Sequence, residues 1–240
     1  MATTTLSCGQ IMKELARLGS EGYKRTMLRH GAVEPFFGVK IEELKKYQKK
    51  IKKDHALALA LYETGIGDAQ YLAGLIADET RMTKKDLTRW VKQAQWGMIS
   101  EYTVPWVAGE SECGYELGKE WIDSKIETIA AAGWATLSSM VSVRADDELD
   151  LKGLEKLMDR VAKSIHKAPN RVKYTMNGFV IAVGSYVAPL SDKAVAVAKK
   201  IGKVSVDMGD TACKVPDAAQ YIAKVAKAGR VGRKRMTARC

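Results

Sequence analysis

The chain is short of the residues that most often carry chemistry. It has 3 histidines and 4 cysteines in 240 residues. His30, His55 and His166 are scattered, and none stands at metal-ligand spacing from another histidine or from a cysteine. Cys8, Cys113, Cys213 and Cys240 form no CxxC pair, which removes a zinc framework. The opening "MATTTLSCGQ" lacks a basic stretch followed by an apolar one, so a disulfide framework of the secreted kind is not expected either. No GxSxG or related nucleophile signature is present, which argues against the familiar serine hydrolases. Neither a metal nor a cofactor is expected. No apolar run is long enough to span a bilayer, and "TARC" places its cysteine last, unlike a prenylation box. These absences point to a soluble, reduced, cytoplasmic protein with no membrane partner. Prolines number 5, and no Pro/Ser-rich linker divides the sequence.

What the chain has in excess is positive charge. Lys and Arg number 39 against 28 Asp and Glu, a net +11 with a pI near 9.4. That balance favours a polyanionic partner, with nucleic acid ahead of a membrane surface.

Helical periodicity dominates the pattern. In "KIEELKKYQKKIKK", Ile41, Leu44 and Ile51 share one face and lysines fill the rest. "DHALALALYETG" reads as an Ala/Leu helix closed by Gly65 in a left-handed cap. "DAQYLAGLIADE" follows, with Asp68 as its expected N-cap, and "TKKDLTRWVKQAQW" opens on Thr83 with Asp86 three residues on. Pro105, Pro169, Pro189 and Pro216 each stand where a helix can begin. "IETIAAAGWATLSSMVSV" and "NRVKYTMNGFVIAVGSYV" are apolar and rich in small residues, as helices buried between neighbours are. Only "KVSVDMGDTACKV" hints at extended backbone.

The expected architecture is therefore all-α. Helix pairs of roughly forty residues stack into a HEAT-like superhelix, because no pair can hide its apolar face alone. We expect one domain over residues 1–229 and a basic tail over 230–240, whose bland reading is a disordered end and whose functional reading is phosphate contact. A basic concave face would be the binding surface.

Three motifs bear on function. "GIGDAQ", residues 65–70, lacks the third glycine of a dinucleotide fingerprint and follows a helix, so it reads as a helix–helix turn. Basic residues gather in three patches: one with Lys45, Lys49 and Lys53, one with Arg160, Lys163, Lys167, Arg171 and Lys173, and one with Arg230, Arg233, Lys234, Arg235 and Arg239. Patches of this kind grip phosphates and position a duplex without reading bases. In "VSVDMGDTACKVPDA", Asp207 and Asp210 have no third ligand for a metal, Asp210 reads as the cap of a short turn, and Cys213 reads as a buried structural thiol.

Several strings together resemble one family. "PFFGVKIEELKK" with "DHALALALYETGIGDAQYLAGLIAD", then "LTRWVKQAQW" and a carboxylate before Val104-Pro105, then "GWATLSSM" and "NGFVIAVGSY", are similar to the AlkD-type DNA alkylation repair family. The resemblance runs from about Pro35 to Tyr186. It implies a HEAT-like superhelix that grips double-stranded DNA and, in characterised members, releases N3- or N7-alkylated purines. Such a reaction leaves an oxocarbenium-like sugar, which a carboxylate stabilises and aromatic faces surround.

By that resemblance, Glu101 stands where the family carries its catalytic Asp, and Trp96 retains the first of two adjacent tryptophans. Gly97 stands in place of the second, and Phe179 replaces the remaining one. Trp134 aligns, while Leu137 occupies the position of the arginine. The catalytic set implied by the resemblance is Glu101, Trp96 and Phe179, and the DNA contacts expected from the basic patches are Lys45, Lys49, Lys53, Lys163, Lys167, Arg171 and Lys173. Two functions follow: a glycosylase with an altered active site acting as a monomer, or a non-catalytic scaffold that binds nucleic acid or protein.

Overall fold

The structure is a computed structural model that describes residues 6–239. Among the described residues there are 13 α-helices and no strand. In chain order they are α1 (Cys8–Leu18), α2 (Glu21–Arg29), α3 (Ile41–Ile51), α4 (His55–Glu63), α5 (Gly67–Ile76), α6 (Lys84–Gln93), α7 (Val104–Glu110), α8 (Gly114–Trp121), α9 (Glu127–Val143), α10 (Leu151–Ser164), α11 (Asn170–Tyr186), α12 (Ser191–Ile201) and α13 (Ala218–Lys227).

Local signals set many of the boundaries. Thr83 and Asp86 close a reciprocal capping box at the start of α6. Gly65 takes φ 68° between α4 and α5, a conformation that costs glycine little. Asp68 differs from expectation: Ile66 is the N-cap residue of α5, and the Asp68 carboxylate accepts the amide hydrogens of Phe37, Gly38 and Val39. It fixes the loop ahead of α3 rather than its own helix. Burial pushes its carboxyl above the ordinary carboxylate range, and those amides pull the other way.

The odd-numbered helices α5, α7, α9 and α11 form an inner row, with α4, α6, α8, α10 and α12 packed outside it. α9 is shared by two apolar cores, one reaching back to α1 and the other forward to α13. Small residues let the inner helices approach. A β carbon at Gly109 of α7 would lie 2.6 Å from the Ser139 side chain, and one at Gly184 of α11 would lie 2.5 Å from Ile222. No single helix among the described residues is long and apolar enough to cross a membrane.

The basic tail forms a strap across the C-terminal ends of the inner row. Gly232 donates its amide to Ser185 O of α11 (3.0 Å), and Arg235 donates its amide to Ser142 O of α9 (2.8 Å). Lys234 Nζ reaches Val141 O at 3.0 Å and Asp146 at 2.8 Å. Ala238 N–H and the Thr237 hydroxyl both donate to Glu110 at the end of α7. Arg239, 8% exposed, donates to Gly74 O (3.0 Å) and Ala77 O (3.1 Å) at the C-terminal end of α5, and pairs with Glu79 and Glu110 at 3.0 Å each. The last carbonyls of a helix lack intrahelical partners and carry partial negative charge, so basic side chains and free amides suit them. That is why a positively charged terminus folds back onto the domain.

The segment 202–217 joins α12 to α13 without forming a strand. Asn170 and Asp207 exchange two hydrogen bonds, at 2.8 and 2.7 Å, and Asn177 donates to Pro216 O at 2.9 Å. Farther out, Gly209 lies beside Arg29 O and Cys213 Sγ is 4.0 Å from His30 Nδ1, so the segment reaches α2 at the other end of the chain. The turn here is capped by Asp207, which accepts Gly209 N–H at 2.9 Å, rather than by Asp210. Cys213 is exposed, not buried.

Candidate nucleic-acid interface

Glu101 sits in a six-residue π-helical turn, Met98–Thr103, that runs directly into α7. Pro105 at the second position of α7 has no N–H for the carbonyl four residues earlier, which belongs to Glu101, and the Thr103 hydroxyl reaches back to Met98 O at 3.1 Å. Such wide turns recur at functional sites. Glu101 is therefore neither a surface charge nor a helix cap. It is 6% exposed and points into the molecule.

Its carboxylate is bound by Arg171 from the first turn of α11. Arg171 Nε donates to Oε1 at 2.7 Å and Nη2 donates to Oε2 at 2.6 Å, a bidentate fork. The guanidinium also lies 4.5 Å from the ring centre of Tyr174 and 3.6 Å from Met208 Sδ. Its own backbone N–H donates to Glu127 at 2.6 Å. Burial pushes the Glu101 carboxyl above the ordinary carboxylate range, with Arg171 acting against it, while Glu101 raises Arg171 further above its already high value. A cation is thus restored to the site, but from α11 and not from position 137, where Leu137 is fully buried.

Gly97 has a direct part in this pairing. A β carbon there would lie 3.2 Å from Glu101 Oε1. A large side chain at 97 would displace the carboxylate, so glycine at 97, the longer acid at 101 and Arg171 form one coordinated set.

The two expected aromatics, Phe179 and Trp96, lie away from the carboxylate. Phe179 is 0% exposed and packs 5.2 Å from Trp134, ring centre to ring centre, in the second core. It faces away from Glu101 because its side of α11 closes against α9. Trp96 turns toward the N-terminal helices, 6.1 Å from Phe36, in a small apolar recess with Met98 and Tyr71. Neither ring faces the carboxylate.

The basic expectations divide. Of the seven cations, Arg171 alone among the described residues meets Glu101, and there it is consumed by the ion pair rather than left for phosphate. Lys53 pairs with Glu79 and Asp78 near the far end of the strap. Lys163 borders a shallow groove along α10 with Lys156, Asp159 and Arg160. Lys45, Lys49, Lys167 and Lys173 are at least partly exposed and do not line the cavity beside Glu101. Within the strap, Lys234 and Arg239 serve internal contacts, whereas Arg230, Arg233 and Arg235 are exposed.

Beside Glu101 the inner row opens into a groove of ≈ 300 Å³. Tyr102, Trp106, Tyr174 and Tyr186 stand along it, and the two phenolic oxygens of Tyr102 and Tyr174 approach to 3.4 Å. Burial raises the Tyr102 hydroxyl well above the usual phenol range, so it stays protonated. Sequence reasoning missed these rings. Tyr102, adjacent to Glu101, and Trp106, five residues on, were the local signals available. No cluster of His, Cys, Asp and Glu suited to a metal occurs among the described residues.

Comparison with known proteins agrees with this architecture. The chain matches the DNA alkylation repair enzyme family over residues 11–221. It is 30% identical to the uncharacterized protein Lin0241 of Listeria innocua and 31% identical to the uncharacterized protein Lmo0209 of Listeria monocytogenes. Each alignment spans 221 residues, 90% of this chain and 95% of the relative. A solved structure, described as representing a new family of proteins related to the HEAT-like repeat DNA glycosylases with affinity for branched DNA structures, superposes with TM-score 0.88. It is 35% identical and covers 98% of this chain and 100% of its own. The stacked helix pairs and the match along nearly the whole sequence place the chain in the DNA alkylation repair enzyme family, with the HEAT-like fold of the DNA glycosylases.

Proposed function

We propose that the protein recognises branched DNA through its inner face and does not excise alkylated purines. The observation that carries this reading is the bidentate Glu101–Arg171 pair. A carboxylate that stabilises an oxocarbenium-like sugar must face the groove with its charge available. Here the charge is already matched by a guanidinium, and the carboxylate is almost fully covered. The departures at Gly97 and Phe179 act in the same direction, since no aromatic ring faces the carboxylate from either position. Support for DNA as the partner comes from the net charge of +11, the family, and the affinity of the solved relative for branched DNA structures. Exposed Lys49, Lys167, Arg230 and Arg233, with half-buried Lys45 and Lys173, supply phosphate contacts on double-stranded arms.

The test has two arms. Release of 7-methylguanine and 3-methyladenine from methylated duplex DNA is compared for wild type and Glu101→Ala. Binding to a three-way junction and to a linear duplex of equal length is measured across salt concentrations. The expected result is no release and a junction preference that weakens steeply with salt. Release by the wild type that vanishes in Glu101→Ala would establish a glycosylase and overturn the proposal.

A further inference from the structure

We infer that the groove beside Glu101 is a binding site for one unpaired nucleobase, held by stacking and without regard to base identity. This inference rests on the reading of the protein as a branched-DNA binder and names what the inner face takes from such DNA.

Size is the first argument. At ≈ 300 Å³ the groove is at the lower end of small-molecule sites and too small to enclose a base pair's worth of duplex. A single planar ring system with its sugar fits. Shape is the second. The floor is made of small residues, Ala135, Ser138 and Ser139 from α9 with Gly178 and Ala182 from α11, so a flat ring can lie close to the helix backbones. Tyr102, Trp106, Tyr174 and Tyr186 line it, with Trp106 edge-on to Tyr102 and the Arg171 guanidinium over the Tyr174 ring, and aromatic side chains are the platform that proteins use for unpaired bases of any identity.

The polar groups set the specificity. The Ser138 hydroxyl is committed to Trp134 O, that of Ser142 to Ser139 O, and that of Thr175 to the backbone of α11. The hydroxyls of Ser139 and Tyr186, which also line the groove, are left to meet a base edge, and as rotatable donor–acceptors they favour no single base. Glu101 borders the groove, and because Arg171 matches its charge the pair is neutral as a unit and repels neither ring nor phosphate. The mouth carries exposed Arg235 from the strap, whose guanidinium donates to Arg239 O through one nitrogen and has other N–H groups for a backbone phosphate. Branch points and bulges are where a duplex offers an unpaired base without the cost of opening a pair.

Gly178 supplies the means of testing this. A β carbon there would meet nothing within 4 Å, and its backbone is ordinary helix. Gly178→Leu therefore fills the groove and leaves the packing of α11 intact, with an unchanged thermal midpoint as the check. Three DNAs are compared: a three-way junction with one unpaired 2-aminopurine at the branch, the same junction fully paired, and a linear duplex. For wild type the unpaired base is expected to raise affinity by about tenfold, with quenched 2-aminopurine fluorescence. Gly178→Leu should lose both effects and keep the remaining preference for junction over duplex. Equal affinity of wild type for the two junctions, or unchanged binding and quenching in Gly178→Leu, would overturn the inference while the branched-DNA reading stood. Dependence on the unpaired base without any preference for the paired junction over linear duplex would sustain the base site and overturn that reading.

Discussion

Replacing Arg239 by Met should unfasten the strap from the first half of the superhelix. In the native protein the guanidinium is 8% exposed and donates to Gly74 O, Ala77 O, Glu79 and Glu110 at 3.0–3.1 Å. Removal leaves two carbonyls unsatisfied and two carboxylates, only 15% and 11% exposed, without their shared cation. Breaking a buried charge network from one side costs about 3–5 kcal/mol. Lys53 still holds Glu79 at 2.5 Å, which places the loss at the lower end, about 3 kcal/mol. For a domain of this length each kcal/mol lowers the midpoint of thermal unfolding by about 2–4 °C, so a fall of roughly 6–12 °C is expected. Arg239→Lys should lie between the two, because it keeps the charge and loses the fork that reaches four acceptors. Circular dichroism melts at neutral pH measure the shift, and hydrogen exchange at the Ala238 amide reports whether the strap has opened. A midpoint within about 1 °C of wild type, or an Ala238 amide still protected in Arg239→Met, would refute the strap as a structural element.

The other predictions concern the site and its supports. Arg171→Met strands the Glu101 carboxylate and should destabilise by about 3 kcal/mol or more, whereas adding Glu101→Gln to it should recover part of that loss in a denaturant double-mutant cycle. Purely additive effects would mean the pair has no energetic coupling. Phe179→Ala removes a fully buried ring, and equilibrium unfolding should register a loss of about 3–5 kcal/mol, with DNA affinity at low temperature unchanged. Burial alone would raise the Glu79 carboxyl, but hydrogen bonds from Lys53 and Arg239 outweigh it and hold the group below its ordinary value. Its contribution is therefore fully present above the unfolded carboxylate pKa of about 4.3 and is lost as pH falls through the lower folded value. Melting wild type and Glu79→Gln across that acid range should show their midpoints converging, and parallel curves would contradict the assignment.

The sequence by itself determined the class of structure and many of its joints. Helix periodicity, the Thr83–Asp86 box, Gly65 and the placement of prolines act within a few residues, so they are visible in the string. Stacked helix pairs followed from the need of each pair to cover an apolar face. The resemblance pointed to Glu101 and to a remodelled neighbourhood at Gly97. What it could not supply was the partner of that carboxylate, since Arg171 lies 70 positions away and looked like one more cation in a basic patch. The same limit applied to Asp68, which had a good local reason to cap α5 and a stronger distant one in three amides of another loop. Phe179 and Trp96 kept their aromatic character, but which face of a helix points inward is decided by its neighbours. The basic terminus looked like a solvated tail because its charges have no local partners. Only the assembled inner row, with the carbonyls of three helices and the Glu110 carboxylate of a fourth along one edge, gives those charges a place to bind. Periodicity and capping are short-range and survive in any fragment, whereas ion pairs, grooves and straps exist only where tertiary packing brings distant residues within a few ångströms.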